Sequence, residues 1–352
     1  MASVSPPAPA RSAAHPGADD RIRPLGPLQR ALRRPDLGAL LGVLVSWGLF
    51  AAVGGPSFTS ASGTAAFLAD AAGLGILAAT VALLMIGGEF DLSIGSMIGA
   101  AGMLLAILIT EFAVPSWLAV LVALLFGAGF GVLNGWLVVR TRLPSFIVTL
   151  AGLFVLRGLT IALTRWLTGR TQVGGVADAA GDGLVHALFA ARVGPFSASV
   201  FWWIGITVIC AVVLSQTTFG NWLRATGGNQ EAARNSGVPI TRVKIVAFML
   251  TGLAAALVGV IQVLEAGSAD TLRGEMREFE AVIAVVIGGT LLAGGYGSVI
   301  GAALGALTFG IVRQGIFFTG VDTDWFRVIL GVFLMVAVLV NSWLRTRALK
   351  AR

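Results

Sequence analysis

Residues 220–244, GNWLRATGGNQEAARNSGVPITRVK, form a polar island of 25 residues between two long apolar segments. Within it Asn229 is placed to cap a helix, Glu231 falls in the first turn where the helix dipole favours an anion, and Gly237 with Pro239 supplies a stop. The pattern predicts a helix over 230–236, about two turns long. So short a helix is marginal in water unless something packs against it, and Ala232 with Ala233 makes a face small enough to enter a partner's groove. The other reading is an ordinary loop that closes over its own bundle. Either way the flanking segments must be long, apolar and side by side.

Those segments belong to a chain that is 57% hydrophobic and 12% charged over 352 residues, with a mean hydropathy of +0.90. That is too apolar for a soluble domain of this size. Apolar runs close to the roughly 20 residues that cross a hydrocarbon core recur about ten times. The fold class is therefore all-α, a polytopic transmembrane helical bundle with spans expected near 37–54, 71–87, 92–110, 116–139, 145–164, 199–215, 243–264, 280–294, 297–317 and 325–343. Residues 1–36, rich in Ala, Pro and Arg, read as a disordered cytoplasmic tail with no cleavable signal, and 345–352 as a short basic one. The permease-like membrane body is 37–344, with its main cytoplasmic loop at 216–242. Cys210, the one cysteine, lies in an apolar run, so no internal disulfide forms.

Basic residues orient the bundle, because Lys and Arg collect on the cytoplasmic side. Arg140, Arg142, Arg224, Arg234, Arg242, Lys244, Arg345 and Arg347 fall inside if both termini are cytoplasmic, while the opposite loops carry Asp178, Asp182, Glu265, Asp270, Glu275 and Glu278. The net charge of +7 is thus topology, not a nucleic-acid footprint.

Two stretches break the apolar pattern. In IGGEFDLSIGS, residues 86–96, glycines and carboxylates stop or kink a helix; Asp91 either caps the next helix or faces a cavity, and Glu89 either lines the path or snorkels to the interface. A second break near 288–298 echoes the first: Gly95–Ala101 reads GSMIGAA and Gly297–Ala303 reads GSVIGAA. Interrupted helices at corresponding positions of two halves point to a transporter's central pathway, and the copies are parallel with ten complete spans or inverted if one segment re-enters. Gly127, Gly129, Gly131 and Gly135 suit close helix approach. Glu89, Asp91, Ser93, Asn134, Ser145 and Thr149 are the candidates for lining a path, and Arg157, inside the fifth span, needs a carboxylate or carbonyl partner.

Some chemistry is excluded. The two lysines, Lys244 and Lys350, are followed by Ile and Ala, so there is no GK[ST] phosphate loop and no P-loop ATPase in this polypeptide. Two histidines and one cysteine form no His/Cys metal cluster, and no nucleophile, base and acid can be read together, so no catalytic or metal residue is assigned.

The stretches at 86–96, 133–159, 220–238 and 279–307, in that order, resemble the ribose-type sugar permease family of bacterial ABC importers, part of the branched-chain amino acid and sugar permease superfamily. One departure is Glu89, where the family commonly has a second glycine before the aliphatic residue and Asp. The resemblance implies an inner-membrane, non-enzymatic transport subunit for a small polar solute, a monosaccharide or polyol, or else a branched-chain amino acid or nucleoside. It implies cytoplasmic ATP-binding subunits that hold ATP and Mg, with no cofactor in this chain, a second permease copy as homodimer or heterodimer, surrounding membrane lipid, and an external substrate-binding protein meeting 165–198 and 265–280. It makes Gly228, Asn229, Glu231, Ala232, Ala233, Arg234 and Gly237 the coupling residues. The reading from another class is an ion-coupled secondary transporter in which Glu89 and Asp91 carry the coupling proton.

Overall fold

A computed structural model describes residues 35–181 and 183–319, with isolated positions up to Met335. The tail expected at 1–36, save its last two residues, the span at 325–343, save isolated positions, and the basic tail at 345–352 lie outside the described residues. The helices run α1 Pro35–Thr59, α2 Ala61–Ile86, α3 Ile94–Thr110, α4 Ser116–Thr141 and α5 Ser145–Thr168. A short outer segment follows, with β1 Gln172–Val173, α6 Val176–Ala180, α7 Leu184–Phe189, β2 Arg192–Val193 and β3 Phe196–Ser197. Then come α8 Ala198–Gln216, α9 Thr218–Gly228, α10 Gln230–Asn235, α11 Ile240–Ala266, β4 Ala269–Asp270, α12 Arg277–Ile287 and α13 Val299–Thr319. The chain is an all-α polytopic bundle. Among the described residues seven helices, α1, α2, α4, α5, α8, α11 and α13, are long and apolar enough to cross a membrane.

Two of the expected spans change. The second begins at Ala61, not 71, because Ser60 caps it by accepting from the Gly63 N–H at 3.0 Å. Its 26 residues extend about 39 Å, so Asp70 sits inside the helix and not at its outer end. The eighth, expected at 280–294, is the 11-residue half-helix α12, about 17 Å long. It stops because Gly288 closes the last turn and Gly289 takes φ +85°, where an L side chain is strained. Hydropathy alone could not separate a spanning helix from a half-helix running into an apolar loop.

Three helices, α2, α11 and α13, form the inside, and the windows of α2 and α1 are 78% and 17% buried respectively. The outer helices present Leu44, Leu125, Phe154 and Val208 outward, which suits a lipid surround. Gly127, Gly131 and Gly135 recur every fourth residue and so share one face of α4. A Cβ at Gly135 would stand 2.8 Å from the Ile245 Cα, and one at Gly131 would fall on the Phe248 carbonyl. Gly129 points elsewhere, with open space beside it. The α4–α11 seam is therefore a small-residue backbone contact.

The two breaks are copies in geometry. After α2 the N–H groups of Gly87, Gly88 and Glu89 donate to the carbonyls of Leu83, Met85 and Leu84; after α12 those of Gly288, Gly289 and Thr290 donate to Ala284, Val286 and Val285. Both helices end at the part of the bundle that holds Asp36 and the coupling stretch, so the copies run parallel. The copies also touch. Gly295 N–H donates to the Ile86 carbonyl at 2.8 Å. A Cβ on Gly294 would lie 2.8 Å from the Gly88 Cα, one on Gly295 would lie 2.8 Å from the Gly228 Cα, and one on Gly227 would fall on the Ile86 carbonyl. Three Gly–Gly pairs, 87–88, 227–228 and 294–295, thus bring the first break, the end of α9 and the second break into backbone contact.

This junction yields a paired prediction. Gly227→Ala forces backbone apart and should cost about 1–3 kcal/mol, whereas Gly228→Ala enters open space at ordinary φ. In detergent-solubilised protein the thermal midpoint should fall for the first and hold for the second, and uptake should follow the same order. Equal midpoints would show that the junction is looser than its contacts indicate.

Candidate functional site

The first break crosses the bundle as residues 87–93, and its backbone needs partners because lipid supplies none. Neighbouring helices provide them. The Phe90 N–H donates to Ser145 Oγ and the Leu92 N–H to Thr149 Oγ1, both at 3.0 Å. Asp91 Oδ1 accepts from the Ser93 N–H at 3.0 Å and the Ser93 hydroxyl at 2.6 Å, and Oδ2 accepts from the Thr251 hydroxyl at 2.7 Å. Asn134 Nδ2 closes the chain by donating to Ser93 Oγ at 2.9 Å. Five of the residues singled out in sequence, Asp91, Ser93, Asn134, Ser145 and Thr149, therefore converge, together with Thr251. All five are buried and satisfied by one another, which makes them the lock that holds the break and not the wall of an open path. Asp91 does bind backbone, but that of Ser93 ahead of α3, in the manner of an Asx-turn.

Glu89 is separate. It forms an ion pair with Lys244 in the first turns of α11, and Lys244 Nζ also donates to Gln230 Oε1 of α10 at 3.3 Å. The carboxylate thus connects the first break to the coupling stretch. The helix of that stretch is capped by Asn229, whose Oδ1 accepts from the Ala232 N–H at 3.0 Å, and Gly237 at φ +82° ends it. Ahead of it stands α9, a helix absent from the sequence reading, whose N-cap is Thr217. Gly228, Asn229, Glu231, Ala232, Arg234 and Gly237 are exposed. Ala233 is not: it is 4% exposed and faces the bundle, so it cannot share a partner-facing surface with Ala232. The sequence reading paired adjacent residues, but neighbours on a helix point about 100° apart.

A second polar cluster lies where two half-helices begin. Residues 271–276 pass over the first turns of α3, where a Cβ on Gly99 would stand 2.8 Å from the Arg273 carbonyl, and α12 then starts with Glu278 against Gly95. Glu278 is 3% exposed and its Oε2 has no hydrogen-bond partner; Arg157 of α5 has Nε and Nη2 buried without partners and Nη1 at 3.8 Å from Glu275. Counting ten residues along α12 puts Glu278 about 15 Å above Gly288, roughly mid-depth in a bilayer. The N-terminal dipole ends of α3 and α12 point into the same place. The sequence reading gave Arg157 a carboxylate to find, but put Glu275 and Glu278 in an outer loop. The apolar run after Glu280 was the available signal, since it is too short to start from the surface and reach the second break. The outer surface is accordingly 169–197, while 271–280 is partly interior, with Thr271 and Glu278 buried.

Residues 63–339 match the model of the family described as branched-chain amino acid transport system / permease component. The chain belongs to this family. The permease is 31% identical to the xylose transport system permease protein XylH of Escherichia coli, across 83% of this chain and 88% of the relative. It is 34% identical to the ribose import permease protein RbsC of Escherichia coli, across 76% and 81%. It is 30% identical to the fructose import permease protein FrcC of Rhizobium meliloti, across 87% and 85%. No solved structure matches it. With such relatives and seven apolar helices, the permease is a multi-pass inner-membrane protein of sugar-importer kind, and its relatives are transport permeases, not enzymes.

The lock on the permease's first break can be tested by what replaces its carboxylate. Asp91→Leu leaves the Ser93 and Thr251 donors without their acceptor, at about 1–3 kcal/mol for each buried group so stranded. Asp91→Asn keeps one oxygen for Ser93. The leucine variant should accumulate poorly and melt several degrees lower, and the asparagine variant should stay near wild type in both measurements. A leucine variant that matches wild type would remove the lock from this account.

Proposed function

We propose that this chain is the membrane-spanning subunit of an ATP-driven importer that admits a monosaccharide. It works as a pair of permeases, with ATP and Mg held by cytoplasmic ATP-binding subunits and solute delivered by an external binding protein to the face formed by 169–197. The observation that carries the reading is the contact of the coupling stretch with both helix breaks, through Gly227 and Gly228 and through Gln230, Lys244 and Glu89. A force applied to α10 is delivered to both interruptions of the bundle within a few residues.

The choice of solute rests on the relatives, whose names give xylose, ribose and fructose import. Such solutes are neutral and rich in hydroxyls, which both donate and accept. Arg157 supplies donors, Glu278 and Glu275 supply acceptors, and their unpaired atoms become satisfied when hydroxyls replace the missing partners. Glu89 has a lasting partner in Lys244, which suits a structural link better than a proton carrier.

The exposed face of α10 is the place to test coupling. Ala232→Glu sets a bulky charge on the partner-facing side and leaves the bundle alone, so the protein should accumulate normally while ATPase co-purification and uptake are lost together. Ala233→Glu buries an unpaired charge inside the chain, so accumulation itself should fall. Full co-purification and uptake with the Ala232 variant would show α10 to be a simple connector.

A further inference from the structure

At the inner end of the bundle a cavity of about 430 Å³ opens between the α4–α5 loop, α10 and the start of α11. Its charged lining is Glu89, Arg142, Arg234 and Lys244, with Gln230 and Thr241 beside them. The charges do not balance. Glu89 is occupied by Lys244, whereas Arg142 and Arg234 have no ion-pair partner among the described residues. Arg142 is also held in place: it caps α4 in the left-handed region at φ +58°, with its N–H donating to the Val138 carbonyl at 3.0 Å. The cavity therefore has two spare cations, one on a fixed backbone.

The rim separates the possible ligands. Leu143 lines the cavity, and Leu143, Phe146 and Ile147 are 49%, 50% and 44% exposed at the start of α5. A small free anion would gain nothing from that apolar ledge. A phospholipid uses both parts, since its headgroup can enter between the arginines while its acyl chains lie along Leu143, Phe146 and Ile147. Basic pockets between helices on the cytoplasmic side suit anionic headgroups for this reason. We propose that this cavity binds the phosphodiester headgroup of an anionic membrane lipid, with Arg142 and Arg234 as its cationic contacts. The lipid then lies against the Gln230–Lys244–Glu89 connection, between the coupling stretch and the first break. The site stands on geometry that is independent of which solute is carried.

The test uses the full-length chain purified in detergent, with palmitoyl-oleoyl phosphatidylglycerol as probe and phosphatidylcholine of the same chains as control, and counts retained lipids by native mass spectrometry. Wild type should keep phosphatidylglycerol under conditions that strip phosphatidylcholine. Arg142→Gln/Arg234→Gln should bind phosphatidylglycerol roughly thirty-fold more weakly, and Arg142→Lys/Arg234→Lys, which retains charge, should recover most of the difference. An unchanged thermal midpoint in both variants excludes misfolding as the cause; should the glutamine variant melt lower, the comparison is made with single Arg234→Gln on the exposed face of α10. Equal retention by wild type and the glutamine variant overturns the proposal. Displacement of the lipid by millimolar inorganic phosphate also overturns it, in favour of a free-anion site. Unchanged lipid retention with loss of ATPase co-purification would instead assign the two arginines to an acidic surface on a partner protein.

Discussion

Backbone-to-backbone contact among the glycine pairs 87–88, 227–228 and 294–295 is the constraint on which the rest of this structure depends. Any side chain at Gly227 or Gly294 would occupy space that now belongs to the main chain of another segment. The contact joins parts of the chain more than 60 residues apart without any intervening side chain, so there is no flexible rotamer to absorb motion between them. A packed interface of this kind is displaced as a unit or not at all. That is why the end of α9 and the two breaks must be considered together, and why the polar stretch at 220–244 is more than a loop between spans.

The first break has two kinds of attachment. Asp91, Ser93, Asn134, Ser145, Thr149 and Thr251 tie residues 90–93 to α4, α5 and α11 by short hydrogen bonds in a buried setting, where exchange with water is unavailable. Such a network is stiff because every group that moved would be left unsatisfied. Glu89 sits beside a polar cavity, and its partner Lys244 is shared with Gln230. An ion pair with a long lysine stem tolerates displacement far better than the lock does. The break is thus anchored at its inner side and adjustable where it meets the coupling stretch.

Much of this was legible in sequence for reasons that can be named. Long apolar runs specify helices whatever surrounds them, and Asn229 with Gly237 and Pro239 delimits α10 through local backbone chemistry alone. The convergence of Asp91, Asn134 and Thr149 could be suspected, because polar residues in apolar spans need one another. What could not be read were facts that depend on packing. Ala233 and Ala232 are equivalent in composition and opposite in orientation, and only the docking of α10 tells them apart. The pairing of Arg157 with Glu275 and Glu278 spans more than a hundred residues. The apolar loop after Gly289 has the hydropathy of a helix and the backbone of a turn. The Gly–Gly endings at 87–88 and 288–289 were visible as letters, but their equivalence rests on the three matching hydrogen bonds that each ending makes.

The two copies end alike and continue differently, and that difference bears on how a load would travel. After Gly88 come Glu89, Asp91 and Ser93, which bind three neighbouring helices. After Gly289 come Thr290–Gly297, whose backbone bonds run from Leu291 to Tyr296, from Gly294 to Leu291, and from Gly295 to Ile86. The second break is therefore fastened chiefly to itself and to the end of α2. It also leads back through α12 to Glu278, so that one end of this 11-residue helix rests on the glycine junction and the other carries the buried, unpartnered carboxylate. A rigid rod about 17 Å long connects them. Displacement at the junction reaches Glu278 and its neighbour Arg157 with little loss, because a helix of three turns transmits axial motion and the lock around Asp91 holds the surrounding helices still. The polar groups at mid-depth and the coupling surface are thus two ends of one mechanical element, and the internal repeat differs in the way such an element requires.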